Sequence, residues 1–224
     1  MTTVAQRLNQ VKATLPATGV QLIAVSKFHP AETIREAYDA GHRCFGESRV
    51  QELQQKYDQL PHDIEWHFIG HLQTNKVKYI IPYVSMIHSV DSPRILDEIE
   101  RQAARVNRVV DCLLEVHVAQ EDTKFGFTPQ ECVAFLESAV AQSYPHVRFR
   151  GIMGMASNTD NQEQVRAEFA QLKQLFDDVR GGVMQGQAHF DTLSMGMSLD
   201  YLLAIEQGST MVRIGTTIFG EREY

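Results

Sequence analysis

The chain has 224 residues, 43% hydrophobic and 22% charged, the balance of a globular protein with enough apolar mass for a real core. Its formal net charge of −7 argues against partners that recruit basic surfaces, nucleic acid and anionic membrane among them. Three cysteines, Cys44, Cys112 and Cys132, lie far apart with no CxxC pair, which excludes a disulfide framework and zinc-finger spacing and fits a reducing cytoplasm.

The opening stretch, about residues 2–15, reads as an amphipathic helix without the apolar centre of a signal peptide, and no run approaches the length of a membrane span. From VQLIAVS (20–26) onward, β-rich runs alternate with helical ones. The first helix of the alternation runs from Ala31 to Ala40 and stops at Gly41. RCFG (43–46) and WHFIG (66–70) follow, then a brief helix at about 73–80 and the run VSMIHSV (84–90). Ser92 as N-cap and Pro93 in the first turn predict a helix to about Val106, ahead of DCLLEVHV (111–118). Thr128 and Glu131 form a capping box before CVAFLESAVAQ. FRGIMGM (149–155), FDTLSMG (190–196) and MVRIGTTIF (211–219) complete the strands, with Ser198 read as N-cap of a helix at about 199–206.

Eight strands alternating with helices, without a long linker, predict parallel α/β architecture. A doubly wound sheet brings fewer strands and a glycine-rich turn after the first, whereas here the first run is followed by SKFHP. The expectation is a single (β/α)8 TIM-type barrel with an extra N-terminal helix, one domain over residues 1–224.

In such a barrel the chemistry gathers at the C-terminal ends of the strands. Those ends carry Lys27, then Glu47 and Ser48, Gly70 and His71, His88 and Ser89, His117, Met153, Ser194 with Ser198, and Arg213 with Gly215 and Thr216. SMGMS (194–198) and RIGTT (213–217) set hydroxyls and glycines where barrels often bind phosphate, although ordinary loop serines and glycines look the same. Most strand-end lysines are solvated, but Lys27 ends a run buried on both sides and faces that anion site. A desolvated lysine can form a Schiff base, and an aldehyde bearing a phosphate, pyridoxal 5'-phosphate (PLP), matches both features. Of nine histidines, His67, His71, His88 and His117 lie near strand ends, but without HxH or HExxH spacing they read as packing or hydrogen-bonding groups rather than metal ligands.

The stretches AVSKF, FGESRVQE, WHFIGHLQTNK, TKFGF and LSMGMSLDYLLAIEQGSTMVRIGTTIFGEREY together resemble the pyridoxal phosphate homeostasis protein family, single-domain barrels similar to the N-terminal domain of alanine racemase. The likeness runs in order from about residue 20 to the C-terminus. It implies that Lys27 forms the Schiff base with PLP, that Ser194, Gly215 and Thr216 with Ser198 hold the phosphate, and that Arg213 faces the pyridine nitrogen. Ser48 stands where many members carry Asn, so its shorter side chain is expected to reach the cofactor only through a bridging water. The resemblance further implies a monomer that holds PLP without efficient catalysis, serving cytoplasmic PLP homeostasis and PLP-dependent apoenzymes. The sequence ends at Tyr224, just past its eighth strand, so the second domain that gives alanine racemase its catalytic tyrosine is not expected. A weak PLP-dependent racemase, or another activity of that fold, is the alternative.

Overall fold

Four consecutive buried residues, Leu22 to Val25, make β1 (Gln21–Val25) a strand covered on both faces, the environment of a strand in a closed parallel sheet. The computed structural model describes residues 2–17, 19–119, 125–138 and 143–221. Within them β1 pairs in turn with β2 (Cys44–Glu47), β3 (Glu65–Phe68), β4 (Met86–Val90), β5 (Val110–His117), β6 (Val147–Met155), β7 (Thr192–Ser194) and β8 (Met211–Ile214). All pairs are parallel and β8 returns to β1, closing the barrel that the alternation of the sequence predicts. Thr123 and Lys124 of TKFGF, and Tyr224, lie outside the described residues.

Around the strands run α1 (Val4–Thr14), α2 (Ala31–Asp39), α3 (Val50–Gln59), α4 (Pro93–Arg105), α5 (Pro129–Glu137), α6 (Gln162–Gly181), α7 (Tyr201–Glu206) and α8 (Thr216–Phe219). Between β3 and β4 the connection is a 3-10 helix, Thr74–Tyr79, which accounts for the brief helix expected there. Each long helix is amphipathic. In α4, Ile95, Leu96, Ile99 and Ala103 fall on one stripe and are buried. The predicted capping box is formed: Glu131 N–H donates to Thr128 Oγ1 at 3.2 Å and Thr128 N–H to Glu131 Oε2 at 2.8 Å. Helix α8 is too short to cover the seam between β8 and β1, and α1 packs beside it. Val4, Leu8 and Val11 turn inward there, and Arg7 donates to the carbonyls of Ile218 and Phe219.

Three local expectations change. The last strand ends at Ile214 instead of continuing to 219, because the Gly215 carbonyl accepts from Ile218 and Phe219 and turns the chain into α8. Ser198 is not a helix cap; Asp200 Oδ1 accepts from Met197 N–H at 2.6 Å, and α7 begins at Tyr201. Ser92 stands at the N-cap position of α4, but its hydroxyl donates to Asp91. On β6, Gly151 has φ 153°, and a Cβ there would sit 1.8 Å from the Thr192 carbonyl oxygen, so only glycine permits this approach to β7.

Most of the core lies between strands and helices, with Phe45, Trp66 and Phe68 fully buried. The barrel interior holds a small apolar cluster of Ile23, Met86, Leu113, Met153 and Met211. Buried polar groups, His67, His88, Glu115, Ser194 and Arg213, also belong to the strands.

Candidate functional site

Lys27 leaves the end of β1 half-buried, between two residues whose backbones are held from β2 and α3. On its N-terminal side, Ser26 N–H donates to the Gly46 carbonyl at 3.0 Å, its hydroxyl to Glu47 Oε1 at 2.6 Å, and its carbonyl accepts from Lys56 Nζ at 2.8 Å. On the other side, Phe28 has φ 69°, a left-handed conformation that costs a non-glycine residue free energy and persists only where its surroundings hold it. Glu52 Oε1 takes the Phe28 N–H at 2.5 Å, and the Arg49 guanidinium covers the Phe28 ring at 4.7 Å.

The groups gripping both neighbours are one network. Lys56 Nζ lies 2.7 Å from Glu47 Oε1 and 2.6 Å from Glu52 Oε1, with Lys56 5% and Glu47 0% exposed. Burial pushes the Glu47 carboxyl up, and the Lys56 ammonium pulls it back. Sequence reading placed Glu47 at a strand end and passed over Ser26, Glu52 and Lys56. A signal existed: Lys56 sits three residues after Leu53 on the buried stripe of α3, where a solvated lysine has no place.

On β8, the strand next to β1, Arg213 is 4% exposed, and its two terminal amino groups are anchored to protein oxygens. Its Nη1 donates to Ser194 O at 2.9 Å and Ser194 Oγ at 2.6 Å, and its Nη2 to Gly154 O at 3.0 Å. Burial lowers the guanidinium to about 10, and the charges of Asp200 and Glu115 act the other way, so it stays cationic at neutral pH. Ser194 continues the chain: its hydroxyl meets His88 Nδ1 at 3.3 Å, and His88 Nε2 meets His67 Nδ1 at 2.9 Å. These two histidines are hydrogen-bonding groups of the interior, held neutral by burial. His71 belongs elsewhere, paired with Asp91 at 3.0 Å and stacked on Phe125.

Lys27, Ser198, Arg213, Gly215 and Thr216 all line one cavity of about 710 Å3 at the C-terminal ends of the strands. Gly215 N–H donates to Ser198 Oγ at 3.2 Å, tying the loops after β7 and β8 together. A Cβ on Gly215 would meet the Val25 carbonyl oxygen at 3.1 Å, so glycine keeps this wall close to β1. Ser194 lies beneath the cavity, 0% exposed, with its hydroxyl engaged by Arg213. Ser48 is half-buried and backs onto Gly70, where an added Cβ would lie 2.7 Å from its Cα; it is not among the lining residues. An amine, a fixed cation and hydroxyls beside small residues form a donor set that can hold an aldehyde carrying an anionic group.

The family model described as alanine racemase, N-terminal domain, matches residues 1–223. A pyridoxal phosphate homeostasis protein of Aquifex aeolicus is 44% identical over 205 residues, 91% of this chain and 88% of the relative. PipY of Synechococcus elongatus PCC7942, solved without PLP, superposes with a TM-score of 0.90 at 39% identity, covering 97% of this chain and 100% of that one. The structure of PipY with PLP bound gives 0.86 at 37% identity with the same coverage.

Proposed function

We propose a function from one premise: the chain belongs to the pyridoxal phosphate homeostasis protein family. On that premise it binds PLP in the strand-end cavity and serves intracellular PLP homeostasis. Lys27 Nζ is the amine that bonds the cofactor aldehyde, Ser198, Gly215 and Thr216 surround the phosphate, and Arg213 faces the pyridine nitrogen. The observation that supports this most is that these five residues, contributed by the ends of β1, β7 and β8, share one cavity. Ser194 contributes from below, by fixing the Arg213 guanidinium. Ser48 reaches the ligand at most through water.

When bound, PLP supplies an electron-withdrawing ring whose strength as an electron sink depends on a protonated pyridine nitrogen. Arg213 is a donor that keeps its own proton at neutral pH, so it hydrogen-bonds that nitrogen and leaves it unprotonated. This favours holding the cofactor over turning substrates over, and fits a monomeric cytoplasmic carrier that passes PLP to apoenzymes. Among the described residues no helix is long and apolar enough to cross a membrane. The match to the alanine racemase domain model favours a second reading, weak racemisation of amino acids.

Titration of the full chain with PLP tests the proposal. Visible absorbance characteristic of a lysine-bound cofactor is expected in the wild type and not in Lys27→Ala, which keeps weaker, phosphate-dependent binding. Alanine racemisation no faster than with free PLP accompanies it. An unchanged spectrum in Lys27→Ala overturns the assignment, and racemisation far above the free cofactor moves the weight to the second reading.

A further inference from the structure

The opposite end of the barrel carries a second constellation that cofactor binding does not use. Glu65 and His67 stand two residues apart on β3, so their side chains leave the same face of the strand. Cys44, the first residue of β2, is the register partner of Glu65. Sheet geometry thereby gathers a thiol, a carboxylate and an imidazole whose ligand-type atoms all lie within 4.8 Å of one another. We infer that this triad is a binding site for a divalent cation of borderline softness, zinc foremost, through Cys44 Sγ, Glu65 and His67.

The donor set selects the class of metal. Mixed sulfur, nitrogen and oxygen ligands suit zinc and its neighbours, whereas calcium and magnesium take oxygen alone. Three protein ligands leave the fourth tetrahedral position to water, and the partly exposed Cys44 and Glu65 give solvent access. Thiolate and carboxylate together balance the charge of the cation. Groups around the triad brace it as the partners of metal ligands do. His67 Nδ1 is engaged by the buried His88 at 2.9 Å, which fixes the ring and leaves Nε2 for the metal. Gln21 Nε2 donates to Cys44 Sγ at 3.3 Å, a bond that strengthens when the sulfur is anionic.

Cys44 Sγ–H donates to Glu65 Oε2 at 3.0 Å. When the cation binds, the sulfur–metal bond replaces the S–H bond, the proton passes to water, and no atom changes oxidation state.

Cobalt(II) is the probe. The full chain, stripped with chelator and titrated with cobalt, is expected to develop a thiolate-to-cobalt absorption band in the near ultraviolet that saturates at one metal per chain and is displaced by zinc. Cys44→Ser removes the band. Glu65→Gln, an exposed substitution that leaves the fold intact, weakens cobalt binding at least about tenfold. A wild type that binds cobalt without the band, a band that survives Cys44→Ser, or unchanged affinity in Glu65→Gln overturns the site.

Discussion

Lys56 Nζ lies 2.8 Å from the carbonyl oxygen of Ser26, so a buried ammonium on α3 holds the residue immediately before the strand-end lysine Lys27. The same ammonium joins Glu47 to Glu52, and Glu52 holds the residue immediately after it. Lys27 is therefore presented by a clamp on both of its backbone neighbours.

Removing the cation from that clamp is expected to be costly. Lys56→Met leaves the carboxylate of Glu47 buried without its partner, a change that destabilises by about 3–5 kcal/mol when a buried ion pair loses one member. Denaturant unfolding measures it. The double variant Lys56→Met with Glu47→Gln is expected to recover part of the loss, because the stranded charge is gone. PLP affinity is expected to remain below wild type in the double variant, since the Ser26 carbonyl still lacks the Lys56 ammonium and Glu52 has lost its ion-pair partner.

The pH dependence of stability combines opposite contributions: those of the buried histidines His42, His67 and His88 are lost as pH falls, and those of the buried carboxyls Glu47 and Glu115 as pH rises. His42 is held neutral by burial down to about 4, whereas the unfolded chain takes that proton near 6.5. Between those values the unfolded state binds more protons, so this contribution is lost as pH falls, up to about 3 kcal/mol. Burial raises Glu115 from 4.5 to about 7, so the folded state binds more protons there and stability is lost as pH rises through that window. Unfolding free energies between pH 4.5 and 6.5 measure this balance, which the two single variants are expected to tip in opposite directions. Glu115→Gln makes the loss on acidification steeper, and His42→Gln makes it shallower or reverses it.

Ser198→Ala removes the acceptor for Gly215 N–H and one hydroxyl of the cavity. A lost hydrogen bond of about 1 kcal/mol corresponds to roughly a fivefold weaker complex, expected for PLP and for inorganic phosphate alike. Calorimetric titration with both ligands separates this from a change at Lys27, which would weaken PLP alone.

Alternating apolar runs, helix caps and strand counting made the barrel legible, because these are local signals that a closed parallel sheet obeys throughout. The same counting put Lys27, Ser198, Arg213, Gly215 and Thr216 at strand ends, and they line a common cavity. What stayed hidden depends on three-dimensional partners. Lys56 falls on the apolar stripe of α3, but its partners Ser26 and Glu47 come into reach only once α3 is docked over β2. Ser194 reads as a cavity hydroxyl until Arg213 is seen to occupy it. Ser198 has the residue type of a helix cap, but Asp200 two residues later takes over the turn. Cys44, Glu65 and His67 are unremarkable in sequence and meet only through strand register.

Covalent retention of the cofactor at Lys27 is measured most directly by borohydride reduction of the PLP-loaded chain followed by peptide mass mapping. The mass of the reduced cofactor is expected on the peptide carrying Lys27 and on no other. Its appearance on peptides carrying Lys76, Lys78 or Lys124, with the Lys27 peptide unmodified, would contradict the assignment.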